Sequence, residues 1–249
     1  MTNNKKHRSI AAKFAVLAAF FFAGQSAQSA EFSVNPVRVF IDGKVKSGSL
    51  IVENPSDQVV TIQATMNSWS QDNGKEQIIP TDDLLVSPPI FKVQPKSKQV
   101  VRIGFMKAPD AIREGTYRLF LQEVPPPRKL GETGMAIVLR MSLPIFIAPT
   151  TGKAQADLRW KAAPVDGENI KLSFSNSGNA HIQITAISIS LPDGSSLAKN
   201  PSMMTYILPG QSHTWDIKTD KKWKNEPLRV MIKSDAAAPG AETEVKPES

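Results

Sequence analysis

The 249-residue chain contains no cysteine. That absence removes disulfides, thiolate nucleophiles, iron–sulfur clusters and cysteine-based zinc sites together. Histidine is also scarce, with three in the whole chain, so catalytic and metal chemistry has few groups to draw on. No Gly-rich phosphate loop is present, and no internal repeat or low-complexity tract stands out before the C-terminal tail. No segment after the N-terminal leader approaches the run of about 20 apolar residues that a membrane-crossing helix needs. What remains is ordinary globular composition, 41% hydrophobic and 21% charged, at a length that suits one or two domains.

A formal charge of +7 would by itself point to an anionic partner. Its distribution says otherwise. Residues 1–30 hold Lys5, Lys6, Arg8 and Lys13 and no Asp or Glu; without those four, 26 basic residues face 23 acidic ones, a net of +3. The same segment continues as an apolar run, Phe14 to Ala23, and then small residues through Ala30. Positive head, apolar run and small-residue end are the layout of a secretory signal peptide, and Ala27-Gln28-Ser29 predicts cleavage after Ser29 or Ala30. Secretion without cysteine points to a bacterial periplasm.

From residue 31 onward the apolar runs are short, rich in Val, Ile, Thr and aromatics, and closed by Asn, Asp, Gly or Pro, which are strand signals. Strands are predicted at Val34–Ile41, 49–53, 59–69, 84–93, 98–105, 116–124 and 134–148, about the number in an immunoglobulin-like sandwich. Pro109 to Glu114 reads as a single helical turn between strands. Around 148–155 the composition shifts to Pro, Thr, Gly and Lys, a linker. A second strand series follows at 157–162, 169–176, 181–191, 203–208, 212–218 and 227–233, with turns such as Asn176-Ser177-Gly178-Asn179 and Pro209-Gly210. The tail 236–249 has almost no large apolar side chains and is expected to be disordered.

Chemistry finds little purchase. Beyond the leader only His181 and His213 remain, on predicted strands, where a surface or capping role fits better than catalysis. Asp82-Asp83 and Asp220 to Lys222 fall in turns, as solvated charges. Met203, Met204, His181 and His213 include thioether and imidazole donors that suit copper, but their spacing matches no ligand pattern and strand-filling Met explains them as well. Lys153, Arg159 and Lys161 around Trp160 come closest to a nucleic-acid surface, and a net of +3 is poor support for one.

The informative segment is Met135 to Ile147. Its odd positions are all apolar, while its even positions mix Ala136, Val138 and Phe146 with Arg140, Ser142 and Pro144. As one strand it would span roughly 43 Å, beyond the usual strand length. Proline cannot donate to a ladder and is confined to edges, strand starts and bulges, which makes this an apolar edge of the kind that recruits other chains. Alternatively, the odd face simply covers the domain's own core.

Several stretches, taken in order, resemble the periplasmic chaperones of the chaperone/usher pilus assembly pathway. They are Pro36-Val37-Arg38-Val39-Phe40, Leu50 to Asn54-Pro55, Val86-Ser87-Pro88-Pro89, Pro95 to Ile103, Tyr117-Arg118-Leu119 with Glu123-Val124-Pro125-Pro126, and the long strand ending at Pro149. The resemblance implies an all-β chain of two immunoglobulin-like β-sandwich domains at an angle, residues 31–149 and 150–235, between a cleaved signal peptide (1–30) and the tail (236–249). It implies a cofactor-free protein with no enzymatic activity and no membrane insertion. Its partners would be pilus or fimbrial subunits, completed by a donated strand, and an outer-membrane usher. Family members sometimes cap their open edge by self-pairing, which leaves room for a dimer.

On that resemblance the donor side chains are Met135, Ile137, Leu139 and Met141, and Arg38 matches the first of two basic residues that grip the subunit's terminal carboxylate. The second is absent, because Pro144 stands where better-known members have Lys, a departure that resembles the archaic or sigma-type branch. Arg118 is the candidate replacement, since its strand should neighbour the donor strand and it opposes Tyr117, Leu119 and Leu121; Arg140 is the runner-up. The family's inter-domain salt-bridge network finds Glu123 here, with Ala148 at its usual Arg position. The rival reading is a secreted two-domain β-sandwich that binds a small ligand, either a glycan or copper.

Overall fold

The computed structural model describes residues 32–45, 47–72, 74–127, 137–166, 168–200, 203–224, 226–235 and 242–245. The predicted signal peptide and its cleavage site lie outside them. Among the described residues there is no helix. The strands are β1 (Ser33–Asn35), β2 (Val39–Ile41), β3 (Ser47–Glu53), β4 (Val60–Asp72), β5 (Lys75–Pro80), β6 (Leu84–Ser87), β7 (Ile90–Val93), β8 (Lys98–Phe105), β9 (Gly115–Glu123), β10 (Arg140–Ile147), β11 (Leu158–Pro164), β12 (Asn169–Asn176), β13 (Ile182–Ser190), β14 (Ser196–Asn200), β15 (Thr205–Ile207), β16 (Ser212–Lys218), β17 (Leu228–Ser234) and β18 (Glu242–Val245).

They form two immunoglobulin-like sandwiches. The first pairs the sheet β1-β3-β8-β6 with β2-β10-β9-β4-β5, to which β7 adds on β4; the second pairs β11-β12-β16 with β14-β13-β17-β18, to which β15 adds on β13. Alternation decides which face goes inside. In β8, Val101 and Ile103 are fully buried while Val100 and Arg102 face outward, and Leu119, Leu121 and Ile145 meet them from the other sheet. Phe174, Ile184, Ile187 and Val230 fill the second core. Each such side chain contributes about 1.5–3 kcal/mol, and without disulfides this burial and the ladders hold the fold.

One device serves both sandwiches although no repeat is visible in the sequence. Asn54 is buried where β3 ends; its carbonyl accepts from Ser56 N and Oγ while its amide donates to the carbonyls of Gln58 and Val93. Asn176 does the same where β12 ends, accepting from Gly178 N and Asp157 N and donating to the carbonyls of Ala180 and Ile207. A short amide side chain thus satisfies backbone groups that a turn would leave orphaned.

Four sequence expectations change. Val34–Ile41 is two strands, β1 and β2, broken at Pro36 and assigned to opposite sheets, and 84–93 is likewise split by Pro88-Pro89 into β6 and β7. Prolines free the backbone from one ladder so that the next segment can join the other. The expected helical turn at 109–114 is instead an Asx turn, in which Asp110 Oδ1 accepts from Ile112 N and Arg113 N. The tail expected to be disordered contains β18, whose residues 242–245 pair antiparallel with β17.

Candidate functional site

The strand predicted to run from 134 begins at Arg140. Met135 lies outside the described residues, and Ile137 and Leu139 precede the strand as exposed side chains, 77% and 36% accessible. Leu139 is nonetheless tied to β9, its carbonyl accepting from Glu123 N and its N–H donating to Glu123 Oε2. Within β10, Leu143, Ile145 and Ile147 are buried in the first core, so the odd face here does cover the protein's own interior. Met141 is half-buried.

The edge expectation holds for half of the strand. β10 pairs with β9 along its whole length, but β2 runs beside it, in parallel, only from Ile145 to Ile147. Among the described residues no strand lies alongside 140–144 on that other side. Pro144, without an N–H to offer, falls where the lane begins to be filled.

Side chains converge at that junction. Pro144 pairs with Arg118 of β9, which pairs with Asn67 of β4; continuing the β2 register one step back from Val39–Ile145 sets Arg38 on the far side of Pro144. Arg38, Pro144, Arg118 and Asn67 therefore form one row across the sheet, with the two arginines about 10 Å apart at the backbone. The structure thus brings Arg38 and Arg118 together. Arg140 is four residues away along the strand, roughly 13 Å, with its guanidinium 4.1 Å from the Phe120 ring centre.

The next row on this face is aromatic. Phe40, Phe146 and Trp69 lie along it, Phe40 and Phe146 stacked at 5.4 Å and Trp69 against Phe146 at 5.9 Å. The Arg118 guanidinium lies 3.7 Å over the Trp69 ring and 3.2 Å from Glu76 Oε1. Two buried donors at this spot, Arg118 Nε and Trp69 Nε1, have no acceptor among the described residues. Arg38 Nη1 donates to Gln183 Oε1 at 2.7 Å and Asp235 Oδ2 at 2.9 Å, both on the second sandwich.

Beside the arginines runs a chain of charge that sequence reasoning missed. The His181 ring lies flat on Phe146, centres 3.4 Å apart. Its Nδ1 is 2.7 Å from Glu114 Oε1, its backbone N–H donates to Glu114 Oε2, and its Nε2 is 3.6 Å from Asp235 Oδ2. Burial disfavours the imidazolium, but the hydrogen bonds and charges of Asp235 and Glu114 outweigh it and raise the His181 pKa. Burial likewise opposes ionised Asp235, yet His181, the Gln183 N–H and Arg38 hold its carboxyl below the usual range. Glu114–His181–Asp235–Arg38 thus alternates in sign, with its two ends on the first sandwich and its two middle members on the second. Glu123, the expected contributor to such a network, binds Leu139 instead. The sequence signal that existed was a lone histidine among Ile and Thr, with its partner 67 residues away.

The remaining candidates do not gather. His181 immediately precedes β13 while His213 lies in β16 of the opposite sheet, and Met204 Sδ contacts the Gln183 amide, so Met203, Met204 and the two imidazoles share no site. Trp160 and Trp215 flank Phe174 at 3.7 and 4.6 Å, serving the core rather than a ligand platform. Asp83 accepts from the Tyr117 hydroxyl, which burial and the Asp83 charge push up to about 12.

With that geometry in hand, likeness to known proteins is informative. Residues 31–153 match the family of pili and flagellar-assembly chaperones, PapD N-terminal domain. The match spans the first sandwich, β1 to β10. The chain is similar to a probable fimbrial chaperone, LpfB, of Escherichia coli O157:H7, 27% identical over 175 residues that make up 69% of each chain. It is also similar to the chaperone protein PapD of Escherichia coli, 26% identical over 140 residues, 55% of this chain and 56% of that one. In fold it is similar to a chain of the CsuC–CsuE chaperone–tip adhesion subunit pre-assembly complex from archaic chaperone-usher Csu pili of Acinetobacter baumannii. The TM-score there is 0.67 over 88% of this chain and 100% of that one, at 18% identity.

Proposed function

We propose that this protein is a periplasmic chaperone of the archaic chaperone/usher branch, with no enzymatic activity, that holds pilus or fimbrial subunits by lending them a strand and passes them to an outer-membrane usher. The 31–153 family match and the fimbrial chaperone relatives support the class. One observation carries the mechanism. Among the described residues no strand lies beside 140–144, and the closed end of that lane, where β2 begins, carries Arg38 and Arg118 on either side of Pro144.

Charge decides the direction in which a strand enters such a lane. A strand running parallel to β10 ends there, presenting its terminal carboxylate to two guanidinium groups. An antiparallel strand would bring an ammonium against the same two cations. Parallel entry is therefore selected, and with it a subunit's last strand, while Ile137, Leu139 and the residues before them supply apolar side chains that a subunit lacking a strand can bury. Charge supplied from β9, in place of a Lys at position 144, supports the archaic branch.

The test is co-expression with a pilin-like subunit in a bacterial periplasm. A one-to-one complex is expected, and Arg38→Ala and Arg118→Ala should each weaken it about 10- to 150-fold, the equivalent of one charge-assisted hydrogen bond of about 1.5–3 kcal/mol. Absence of any complex with pilins defeats the reading, and undiminished capture by Arg118→Ala removes Arg118 from the anchor.

A further inference from the structure

We propose that the hydroxyl of Tyr206, a residue of the second sandwich, is a third donor to the subunit's terminal carboxylate, so that the anchor is complete only when both sandwiches are in place. This rests on the reading of Arg38 and Arg118 as that anchor. Tyr206 pairs directly with Gln183 across β15 and β13, so the two side chains share a face as close neighbours. Gln183 is the group to which Arg38 donates at 2.7 Å. On its other side the Tyr206 ring stands edge-on to Trp69 at 5.2 Å, with the Arg118 guanidinium 5.6 Å from the ring centre. The phenol therefore lies over the row Arg38–Pro144–Arg118, between its two cations.

Its charge environment agrees. Burial raises the Tyr206 phenol above its ordinary pKa, Arg38 pulls it back by charge and by hydrogen bonding, Asp235 adds to the rise, and Arg118 opposes it. The net rise keeps the hydroxyl protonated, and so a donor, at neutral pH. When a carboxylate accepts hydrogen bonds from the guanidinium groups, the O–H rotates toward it without moving the ring.

The ring is held for this role by a strap from the first sandwich. The buried Gln71 side chain donates from Nε2 to Tyr206 O at 2.8 Å and accepts from Leu208 N at 3.0 Å, as a neighbouring strand residue would. Phe146 at 5.8 Å closes a further side of the ring. A donor fixed in this way spends little rotamer entropy on binding.

The test uses the mature chaperone and two synthetic peptides of the co-expressed pilin's last strand, one ending in a free carboxylate and one in an amide. Wild type should prefer the carboxylate peptide. Tyr206→Phe, which keeps every ring contact, should cut that preference about 10- to 100-fold with an unchanged melting midpoint, and Arg38→Ala should abolish it. Wild-type preference in Tyr206→Phe alongside its loss in Arg38→Ala overturns the role of Tyr206 and leaves the anchor standing. Equal preference in wild type and Arg38→Ala overturns the anchor itself, and the inference with it.

Discussion

Replacing His181 by Phe keeps a ring on Phe146 and removes the cation, which isolates what the imidazole does between the two sandwiches. The Glu114 side chain is 4% exposed and its Oε1 lies 2.7 Å from His181 Nδ1. Phenylalanine leaves that carboxylate with a backbone N–H and no counter-cation, and stranding a buried charge costs about 3–5 kcal/mol. Asp235 is spared, because Arg38 and the Gln183 N–H still hold it, so the lower figure applies. About 3 kcal/mol lowers the melting midpoint of a chain this size by roughly 6–12 °C. The pH dependence follows from the two directions of shift. An imidazole raised above 6.5 contributes in full below that value and loses its contribution as pH climbs through the raised pKa. A carboxyl lowered below 3.8 contributes in full above that value and loses it as pH falls through the lowered pKa. Both contributions are complete between about pH 4 and 6.5. Calorimetric melts from about pH 5 to 9 should show a wild-type midpoint that declines on the alkaline side, and a His181→Phe midpoint that is lower at pH 5 and lacks that decline. Parallel curves for the two proteins would refute the bridge.

Two further outcomes test the lane and the strap. Changing Ile137 and Leu139 together to Ser should leave the melting midpoint nearly unmoved, because both are exposed, while subunit capture falls about 10-fold or more per side chain; capture at the wild-type level would show that these residues are not donated. Gln71→Leu strands Tyr206 O and Leu208 N at about 1–3 kcal/mol each, so amide exchange at Leu208 should accelerate and the carboxylate preference should drop with it, and unchanged exchange would mean that Gln71 does not hold β15.

Periodicity made most of this fold legible, and its failures share a cause. Alternation in β3, β4, β8 and β9 marks core-facing residues wherever a strand stays in one sheet. It is blind to the sheet to which a strand belongs, so Val34–Ile41 and 84–93 read as single strands although prolines hand each chain from one sheet to the other. Edge and interior are likewise properties of neighbours, and among the described residues β10 is an edge over 140–144 and interior over 145–147. Arg38 and Arg118 were legible as candidates, through family likeness and strand adjacency. Tyr206, Gln71, Glu114 and His181 were not, because each acquires its meaning across the boundary between sandwiches, 67 to 137 residues from its partner.

The position of the two arginines also bears on specificity. A strand lying in an open lane can slide, and a slip of one residue turns every side chain to the opposite face. Main-chain hydrogen bonds alone do not penalise such a slip, since the ladder re-forms one step along. A carboxylate exists at one place in the incoming chain, and on the proposed function it would meet cations at one place in the lane, next to Pro144. A strand one residue short would leave the two guanidinium groups without its carboxylate, and a strand one residue long would run into the start of β2, where the lane is already occupied. On the proposed function, the row of Arg38, Pro144 and Arg118 would act as a register stop. It would convert a lane that recognises strands in general into one that aligns a subunit's terminal strand against Arg140 to Leu143 in a single way. On this reasoning a subunit extended past its natural C-terminus should lose far more affinity than one in which an apolar side chain of the same strand is trimmed.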